Sequence, residues 1–355
     1  MNYRSLVSLL ALSLALGACS KKIQLLTSKE VKANEIDKFI LYQMDSLAVP
    51  GVSMAIINNS EIVYHRTFGV KNLNTKEPID PQSLFDAGSL TKTLFAYFVL
   101  KSVDKGQLDL DKPLYEYLIF PDIEYDERYK LITARMVLSH SSGFPNWRRS
   151  NRDNKLDIKF SPGTDFNYSG EGYEYLANVL AKINNIPKDS LQVLIQKDVF
   201  EPLGIRKSRT IWNKDVELKR IDGHINGKVA KGWGISSKKP GFYASYSLQS
   251  EASDYAKLLM AIMTGPGLSE KMRQEMLKVQ INAKEKEKIW GLGIEIYSLN
   301  NEKPLYMHGG FNNDFSSGYL FSTDKNNGYV FFANSDTGYK LNDILRNFFT
   351  EKGVK

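Results

Sequence analysis

Short β-rich runs lie near both ends of this chain, whereas the patterns between them are mostly helical. Residues 52–57 and 62–68 flank an Asn-Asn-Ser turn, and residues 318–321 and 329–333 flank an Asp-Lys-Asn-Asn-Gly turn. Each arrangement is typical of a β-hairpin. Hairpins from both ends of a chain predict one antiparallel sheet, with the intervening segment inserted as a second lobe. A cleft between the two lobes is then the expected site.

The remaining patterns favour an α/β architecture, more strictly α+β. Residues 289–297 predict one more strand, and residues 341–349 predict a closing helix. Helical patterns occupy five further segments, namely 34–47, 90–103, 134–138, 172–183 and 253–263. We therefore expect an antiparallel sheet that is flanked by helices and carries a mostly helical insertion.

The expected domain covers residues 34–352, enough chain for one large domain or two closely packed ones. Its sheet lobe is predicted to comprise about 34–85 and 240–352, and its helical lobe about 86–239. The net charge of +7 is spread along the chain without a nucleic-acid-binding motif. We expect this charge to aid solubility and attraction to anionic surfaces, and we expect no nucleic-acid partner.

The N-terminal segment has the pattern of a bacterial lipoprotein signal. Arg4 supplies a positive charge, and the apolar run 6–16 is too short for a permanent membrane span. Leu-Gly-Ala precedes Cys19, which is the only cysteine in the chain. We predict a signal peptide over residues 1–18, followed by a lipidated Cys19 and a polar tether that together cover 19–33. The alternative is an ordinary signal peptide that ends near a cysteine.

Lipidation of Cys19 would hold the protein at a membrane of the bacterial cell envelope, at the periplasmic face or in the outer membrane. It would also occupy the only thiol, which excludes a cysteine nucleophile and an internal disulfide. The membrane is therefore one expected partner, and the domain itself is expected to be a monomer.

A Ser-x-x-Lys spacing places a hydroxyl and an amine on one face of a helix. A lysine with a lowered pKa can take the proton of a serine, which is otherwise a poor nucleophile at neutral pH. Of the four matches, only Ser89 follows a glycine and begins an apolar helical run, where the helix dipole favours a developing oxyanion. A helix N-cap is the alternative role for Ser89. The matches are Ser89–Lys92, Ser102–Lys105, Ser236–Lys239 and Ser322–Lys325.

The segment 85–93, Phe-Asp-Ala-Gly-Ser-Leu-Thr-Lys-Thr, resembles the nucleophile segment of the serine β-lactamase and penicillin-binding-protein superfamily. The branch with class C β-lactamases, D-amino-acid-specific peptidases and related esterases is the more similar one. The resemblance spans roughly residues 35–350 and implies a β-lactamase/transpeptidase-like fold without a metal or other cofactor. Further family-like segments follow in order at 106–113, 132–143, 162–164, 168–170, 200–205 and 308–310.

The resemblance implies roles for individual residues. Ser89 matches the nucleophile and Lys92 its activating base. Tyr168 matches the tyrosine of a Tyr-x-Asn motif, whose phenol shuttles protons during the reaction. The asparagine of that motif is Gly170 here, which removes a contact to a substrate amide and argues against amide and β-lactam substrates. Glu171, the next residue, is expected to be solvated; the alternative is that it compensates for the lost contact.

His308, Gly309 and Gly310 match the Lys-Thr-Gly strand of β-lactamases. The glycines would let a substrate approach the strand closely, and the family pattern pairs the N–H groups of Phe311 and Ser89 as an oxyanion hole. Histidine at the lysine position is common in esterase and peptidase members and carries no assured positive charge at neutral pH. This again argues against efficient β-lactam hydrolysis. A purely structural histidine is the alternative.

Trp147, Arg148 and Arg149 form an aromatic and basic patch where relatives have a loop at the rim of the cleft. The patch either grips an anionic substrate or peptidoglycan fragment or is a solvated loop. His140 lies in a Ser-His-x-Ser-Gly stretch, and the resemblance implies that this histidine is structural and is not a general base.

These observations predict a serine hydrolase that forms an acyl-enzyme on an ester or amide, of the esterase or D-amino-acid peptidase type. The substrate would be a small ester or amide, or a peptide derived from peptidoglycan. Two alternatives remain: a weak β-lactamase or penicillin-binding protein, and a non-catalytic lipoprotein that binds cell-wall fragments.

Overall fold

The structure is a computed structural model that describes residues 22–230, 241–297 and 303–350. The predicted signal peptide, Cys19, the Ser236–Lys239 match and the predicted boundary between the lobes at residues 239 and 240 lie outside the described residues. Within the described ranges, no helix combines the length and the apolar character that crossing a membrane requires.

The described segments contain fourteen strands and nine α-helices. The strands are β1 (Lys22–Gln24), β2 (Glu30–Lys32), β3 (Gly51–Asn58), β4 (Glu61–Gly69), β5 (Phe85–Asp86), β6 (His224–Ile225), β7 (Lys228–Val229), β8 (Gln249–Ser250), β9 (Ile281–Ala283), β10 (Lys288–Trp290), β11 (Glu295–Tyr297), β12 (Leu305–Phe311), β13 (Ser316–Ser322) and β14 (Asn327–Ala333). The helices are α1 (Ala33–Leu47), α2 (Leu90–Asp104), α3 (Ala134–Leu138), α4 (Gly170–Ile183), α5 (Leu191–Ile195), α6 (Lys214–Lys219), α7 (Ala252–Thr264), α8 (Glu270–Leu277) and α9 (Leu341–Thr350).

Eight strands form one antiparallel sheet in the order β4-β3-β14-β13-β12-β11-β10-β9. β3, from the N-terminal part of the chain, pairs with β14, from the C-terminal part, in a register that runs from Val52 opposite Ala333 to Ile57 opposite Gly328. The prediction of an antiparallel sheet built from both ends of the chain and flanked by helices is therefore confirmed.

The prediction of one strand over residues 289–297 is wrong in the number of strands. Two strands, β10 and β11, occupy this segment and pair with each other across Trp290 and Glu295. Between them, Gly293 has a φ of +74°, a conformation that glycine adopts at little cost. The turn reverses the chain and places both Trp290 and Glu295 near the site described below.

Both faces of the sheet are covered, so every residue of β3 is buried. Met54 and Ile56 face a cluster that includes residues of α1 and α9, whereas Ala55 and Ile57 face the larger cluster around α2 and α7. This alternation follows from the two-residue period of a strand. Helix α2 is buried on almost all sides and packs in the larger cluster, on the face of the sheet opposite to α1 and α9. Ser89 lies directly before its first residue.

The predicted tether is wrong for residues 22–32, which belong to the folded domain. Strands β1 and β2 form an antiparallel hairpin, and Ile23 and Leu25 are buried in the same cluster as α1 and α9. The backbone N–H of Leu26 donates a hydrogen bond to the Phe349 carbonyl at 3.2 Å. Apolar and polar residues alternate in the first strand, as is usual for a half-buried strand. The sequence analysis missed this alternation because the segment is rich in lysine.

Candidate active site

The turn before helix α2 presents Ser89 on the wall of a cavity. Gly88 has a φ of +51°, and a Cβ atom there would lie 3.0 Å from the backbone nitrogen of Phe311. The Asp86 carboxylate accepts a hydrogen bond from the Gly88 N–H at 2.9 Å. Conformation and space therefore both require glycine before Ser89, and the end of β12 lies directly against this turn.

Two side chains tie the strands β12 and β13 to the same turn. Asn312 donates a hydrogen bond to Asp86 at 2.7 Å, and the Ser317 hydroxyl donates to the Ala87 carbonyl at 2.9 Å. A Cβ atom on Gly310 would lie only 2.3 Å from the Ala87 carbonyl oxygen. The backbone of β12 thus approaches the turn as closely as a glycine permits.

Lys92 lies one helical turn after Ser89 and is 1% exposed. Its Nζ atom is 3.4 Å from the Ser89 Oγ atom and donates a hydrogen bond to the Ser245 carbonyl at 3.0 Å. The same nitrogen is 4.7 Å from the centre of the Tyr168 ring and 5.6 Å from that of Tyr173. The amine is therefore held beside the serine hydroxyl in a largely aromatic environment.

Burial lowers the pKa of Lys92 from its ordinary value of 10.5 to about 7, and the negative charge of Glu174 partly opposes this shift. Burial has this effect because a low-dielectric surrounding disfavours the charged form of an amine. A substantial fraction of the amine is then neutral at neutral pH. A neutral amine can accept the proton of the Ser89 hydroxyl.

The Tyr168 hydroxyl is buried and forms no well-aligned hydrogen bond with the described residues. Burial raises its pKa well above the ordinary value, and the nearby Ser89 hydroxyl opposes the change. His140 holds the backbone on both sides of this tyrosine, because the Asn167 N–H donates to the His140 carbonyl at 2.8 Å and the Ser169 N–H donates to its Nδ1 atom at 3.0 Å. The His140 and Tyr168 rings are 4.3 Å apart, so His140 fixes the position of the phenol.

His308 is neutral in this site. Burial, followed by the proximity of Lys92, lowers its pKa to about 3. Its Nδ1 atom is 2.8 Å from the Gly309 carbonyl oxygen, and since a carbonyl only accepts, Nδ1 carries the proton. The Nε2 atom is then a free acceptor, with no partner among the described residues.

A cavity of about 510 Å³ brings most of the predicted site residues together. Those on its wall are Ser89, Tyr168, His308, Gly309, Gly310 and Phe311. The sequence analysis missed seven further lining residues. One of these, Asn146, directly precedes the predicted Trp147, but no motif distinguishes the seven from ordinary core or surface residues. They are Asn146, Phe166, Lys288, Trp290, Glu295, Tyr339 and Asn342.

The predicted rim residues Trp147, Arg148 and Arg149 line a separate cavity of about 240 Å³. Arg148 forms ion pairs with Glu171, at 2.8 Å, and with Asp122. The expectation of a solvated Glu171 is wrong, because this residue is 8% exposed and bound by Arg148. The other lining residues are Glu174, Lys188, Tyr243 and Tyr246.

In the described part of the chain, no three side chains of His, Cys, Asp or Glu are grouped closely enough to hold a metal ion. The arrangement offers acid–base and nucleophilic groups only, namely a serine hydroxyl, a buried amine, a protonated phenol and a neutral imidazole.

The architecture is that of the β-lactamase/transpeptidase-like superfamily, whose members are typically serine acyltransferases and hydrolases. The family model described as Beta-lactamase matches residues 36–348. The chain belongs to this family.

Solved structures share the fold at low sequence identity. The octameric penicillin-binding protein homologue from Pyrococcus abyssi superposes with a TM-score of 0.75 at 23% identity, over 89% of this chain and 78% of that one. The β-lactamase/D-alanine carboxypeptidase from Pseudomonas syringae gives 0.74 at 17% identity, over 91% and 99%. The D-alanine carboxypeptidase AmpC from Burkholderia cenocepacia gives 0.71 at 18% identity, over 85% and 93%.

Two curated relatives match a shorter part of the chain. Penicillin-binding protein 4* of Bacillus subtilis strain 168 is 28% identical over 189 residues, which are 48% of this chain and 40% of the relative. Protein flp of Staphylococcus aureus strain N315 is 24% identical over 184 residues, which are 48% of this chain and 36% of the relative. The matches span less than half the length of either relative.

The two adjacent glycines of β12 should respond differently to an added methyl group. Gly310→Ala should lower the free energy of unfolding by about 1–3 kcal/mol, because its Cβ would collide with the Ala87 carbonyl. Gly309→Ala should leave it unchanged within about 1 kcal/mol, since the nearest atom, on Asn342, is 3.5 Å away. Urea unfolding of both variants measures the difference. Equal stability would contradict the close approach of β12 to the turn.

Proposed function

We propose that this protein is a serine hydrolase that forms an acyl-enzyme at Ser89 and acts preferentially on uncharged esters. The observation that carries the proposal is the buried Lys92 amine, with its lowered pKa, 3.4 Å from the Ser89 Oγ atom. Family membership supports the reaction class, because acyl transfer through a serine is typical of the family.

In the first half-reaction, the Ser89 Oγ atom attacks the carbonyl carbon of the ester. Lys92 accepts the hydroxyl proton as the new carbon–oxygen bond forms. The electron pair of the carbonyl moves to its oxygen, and the N–H groups of Ser89 and Phe311 would stabilise this oxyanion at the start of helix α2. The proximity of the two backbones supports this pairing, because a Cβ atom on Gly88, the residue before Ser89, would lie 3.0 Å from the Phe311 nitrogen.

Collapse of the tetrahedral intermediate breaks the bond to the alcohol, which leaves with a proton. Tyr168 suits this donation because its raised pKa keeps the phenol protonated, and the Lys92 ammonium group can restore the phenol proton. Water then attacks the acyl-Ser89 ester, with the neutral amine again as base. Collapse of this second intermediate breaks the bond to the Ser89 Oγ atom, and the Lys92 ammonium group returns a proton to that oxygen. The products are a carboxylic acid and an alcohol, and the enzyme regains its starting protonation.

The charges around the cavity favour an uncharged substrate. Among its described lining residues, Lys288 is the only lysine or arginine, and it is paired with Glu295 at 2.6 Å. His308 adds no positive charge, because its pKa is about 3. A substrate carboxylate would therefore leave water without a free cation to replace it, which is costly. Phe166, Trp290 and the other aromatic lining residues suit an apolar acyl or alcohol group.

A fluorophosphonate probe tests the nucleophile and its base. We expect one adduct on Ser89, found by intact mass and peptide mapping, with a labelling rate that rises through about pH 7 as Lys92 loses its proton. Lys92→Ala should slow labelling by about 100-fold or more. Lys105→Ala is the matched control, because it removes the lysine of a second Ser-x-x-Lys match at the other end of α2. It should leave the labelling rate unchanged. A folded protein that shows no adduct, or an adduct that persists in Ser89→Ala, would refute the proposal.

A substrate comparison tests the expected class. We expect kcat/KM for p-nitrophenyl butyrate to exceed that for nitrocefin and for a D-Ala-D-Ala peptide by about 100-fold or more, because both of the latter bring an unpaired carboxylate. Comparable turnover of nitrocefin would instead establish a β-lactamase, and faster cleavage of the peptide would establish a D-peptidase.

We also propose that the protein is lipid-anchored through Cys19 in the bacterial cell envelope. The support is the signal-like sequence before this single cysteine. After growth with an alkyne fatty acid, the wild-type protein should carry the label and sediment with membranes, whereas Cys19→Ser should do neither. An unlabelled wild-type protein in the soluble fraction would show an ordinary signal peptide instead.

A further inference from the structure

Ser245, whose carbonyl group binds Lys92, is itself held by the Glu174 carboxylate on helix α4. Lys92 donates to the Ser245 carbonyl at 3.0 Å. The same Ser245 donates to one oxygen of Glu174 twice, from its backbone N–H at 3.2 Å and from its hydroxyl at 2.6 Å. The other Glu174 oxygen forms an ion pair with Lys188 at 3.1 Å. Lys92, Ser245, Glu174 and Lys188 thus form one continuous chain of polar contacts. It runs from the base to the wall of the second cavity, the one that Trp147 lines.

We infer that Glu174 is a positioning residue for the base of the reaction: by holding Ser245, it fixes the carbonyl group to which the Lys92 amine is bound. This inference rests on the proposed function, in which Lys92 accepts the proton of Ser89. No family motif quoted above includes Glu174 or Ser245.

Local structure explains how Glu174 comes to this place. Ser169 caps helix α4 by accepting a hydrogen bond from the Gly172 N–H at 2.9 Å, and Glu174 follows in the next part of the helix. Its neighbour Tyr173 is fully buried and faces Lys92 at 5.6 Å. The Glu174 side chain itself is 15% exposed. The rigid helix therefore sets the distance between the carboxylate and the base.

Glu174 lines the second cavity and not the cavity of Ser89. A substrate bound at Ser89 would therefore not touch it. Glu174 can then act on the reaction only through its hydrogen bonds to Ser245 and through the effect of its charge on Lys92. This separates a positioning role from a catalytic one. It also leaves the carboxylate as a charge that acts on Lys92 from outside the cavity of Ser89.

The charges near Lys92 make the consequence of this arrangement predictable. Among the described residues, Glu174 is the one carboxylate that raises the pKa of Lys92, against the larger effect of burial. The other titratable groups that face the amine are neutral or remain protonated at neutral pH, and they belong to the loops around α3 and α4, to α4 itself and to β12. They are His140, Tyr168, Tyr173 and His308. Glu174 in turn faces Lys188. Its charge also contributes, after burial and Tyr243, to the raised pKa of Tyr246.

The test measures the rate of fluorophosphonate labelling of Ser89 against pH in the full-length protein. Glu174→Gln keeps an oxygen that can accept from Ser245 but removes the charge, so the acid limb should move to lower pH by roughly half a unit to one unit. Lys188→Met removes the cation that offsets Glu174, so the limb should move to higher pH. Glu174→Ala should lower the maximal rate about tenfold, as expected when a base loses its position, and Glu174→Gln should largely restore it.

A merely structural Glu174 would give a different pattern. Its variants would then lower thermal stability or the maximal rate, with an acid limb that stays at the wild-type pH, and that result would overturn the inference. A shift in the same direction for Glu174→Gln and Lys188→Met would overturn it as well. Circular dichroism and thermal unfolding of each variant show that the protein compared is folded.

Failure of the proposed function would be distinguishable. If wild-type Ser89 is not labelled at any pH, the proposed reaction fails. NMR titration of the Lys92 side chain then still tests whether Glu174 affects this lysine. The Lys92 resonance is assigned by its loss in Lys92→Ala. The Lys92 resonance should titrate at lower pH in Glu174→Gln than in the wild type. An unchanged midpoint would exclude an effect of Glu174 on this lysine.

Discussion

The burial of one amine, that of Lys92, is the constraint on which the arrangement of the site depends. A cationic side chain that is 1% exposed costs several kcal/mol unless it is paired or gives up its charge. No carboxylate touches it among the described residues: its polar contacts are a carbonyl and a hydroxyl, and two aromatic rings face it. These contacts hold the amine in place. Because none of them is with a carboxylate, the neutral form of the amine is accessible and can act as a base. Its charge also lowers the pKa of His140 and His308, although burial is the larger cause. The neutral histidines of the site are therefore partly a consequence of the buried lysine.

The position of the serine depends on a different kind of constraint, which is close contact between backbones. The turn before α2 and the end of β12 meet with no room for a side chain at Gly88 or Gly310. Hydrogen bonds from Asn312 and Ser317 hold the two segments at this distance. A backbone site of this kind changes little with side-chain rotamers, which suits groups that must stabilise a charge without moving.

Local patterns were sufficient to predict the sheet, the central helix and the segment around Ser89, because hairpins, apolar periodicity and motif order are all properties of short stretches of sequence. The same patterns failed where the outcome depends on distant partners. Ile23 and Leu25 could be placed in the core only once α1 and α9 were known to cover them. Glu171 looked solvated because Arg148 lies 23 residues before it in sequence. Ser245 and Glu174 gave no signal at all, since a backbone carbonyl has no sequence signature and one glutamate on a helix is ordinary.

The pairing of β3 with β14 has a consequence for the time at which activity can appear. These central strands are separated by most of the chain, so neither can complete the sheet until the last strand is available, and contacts of such long range form slowly. Ser89 and the strand β12 that faces it are likewise far apart in sequence. A partly synthesised chain therefore has the serine without the strand that the proposed reaction requires. If the proposed function holds, chain connectivity alone delays reactivity at Ser89 until most of the chain has folded.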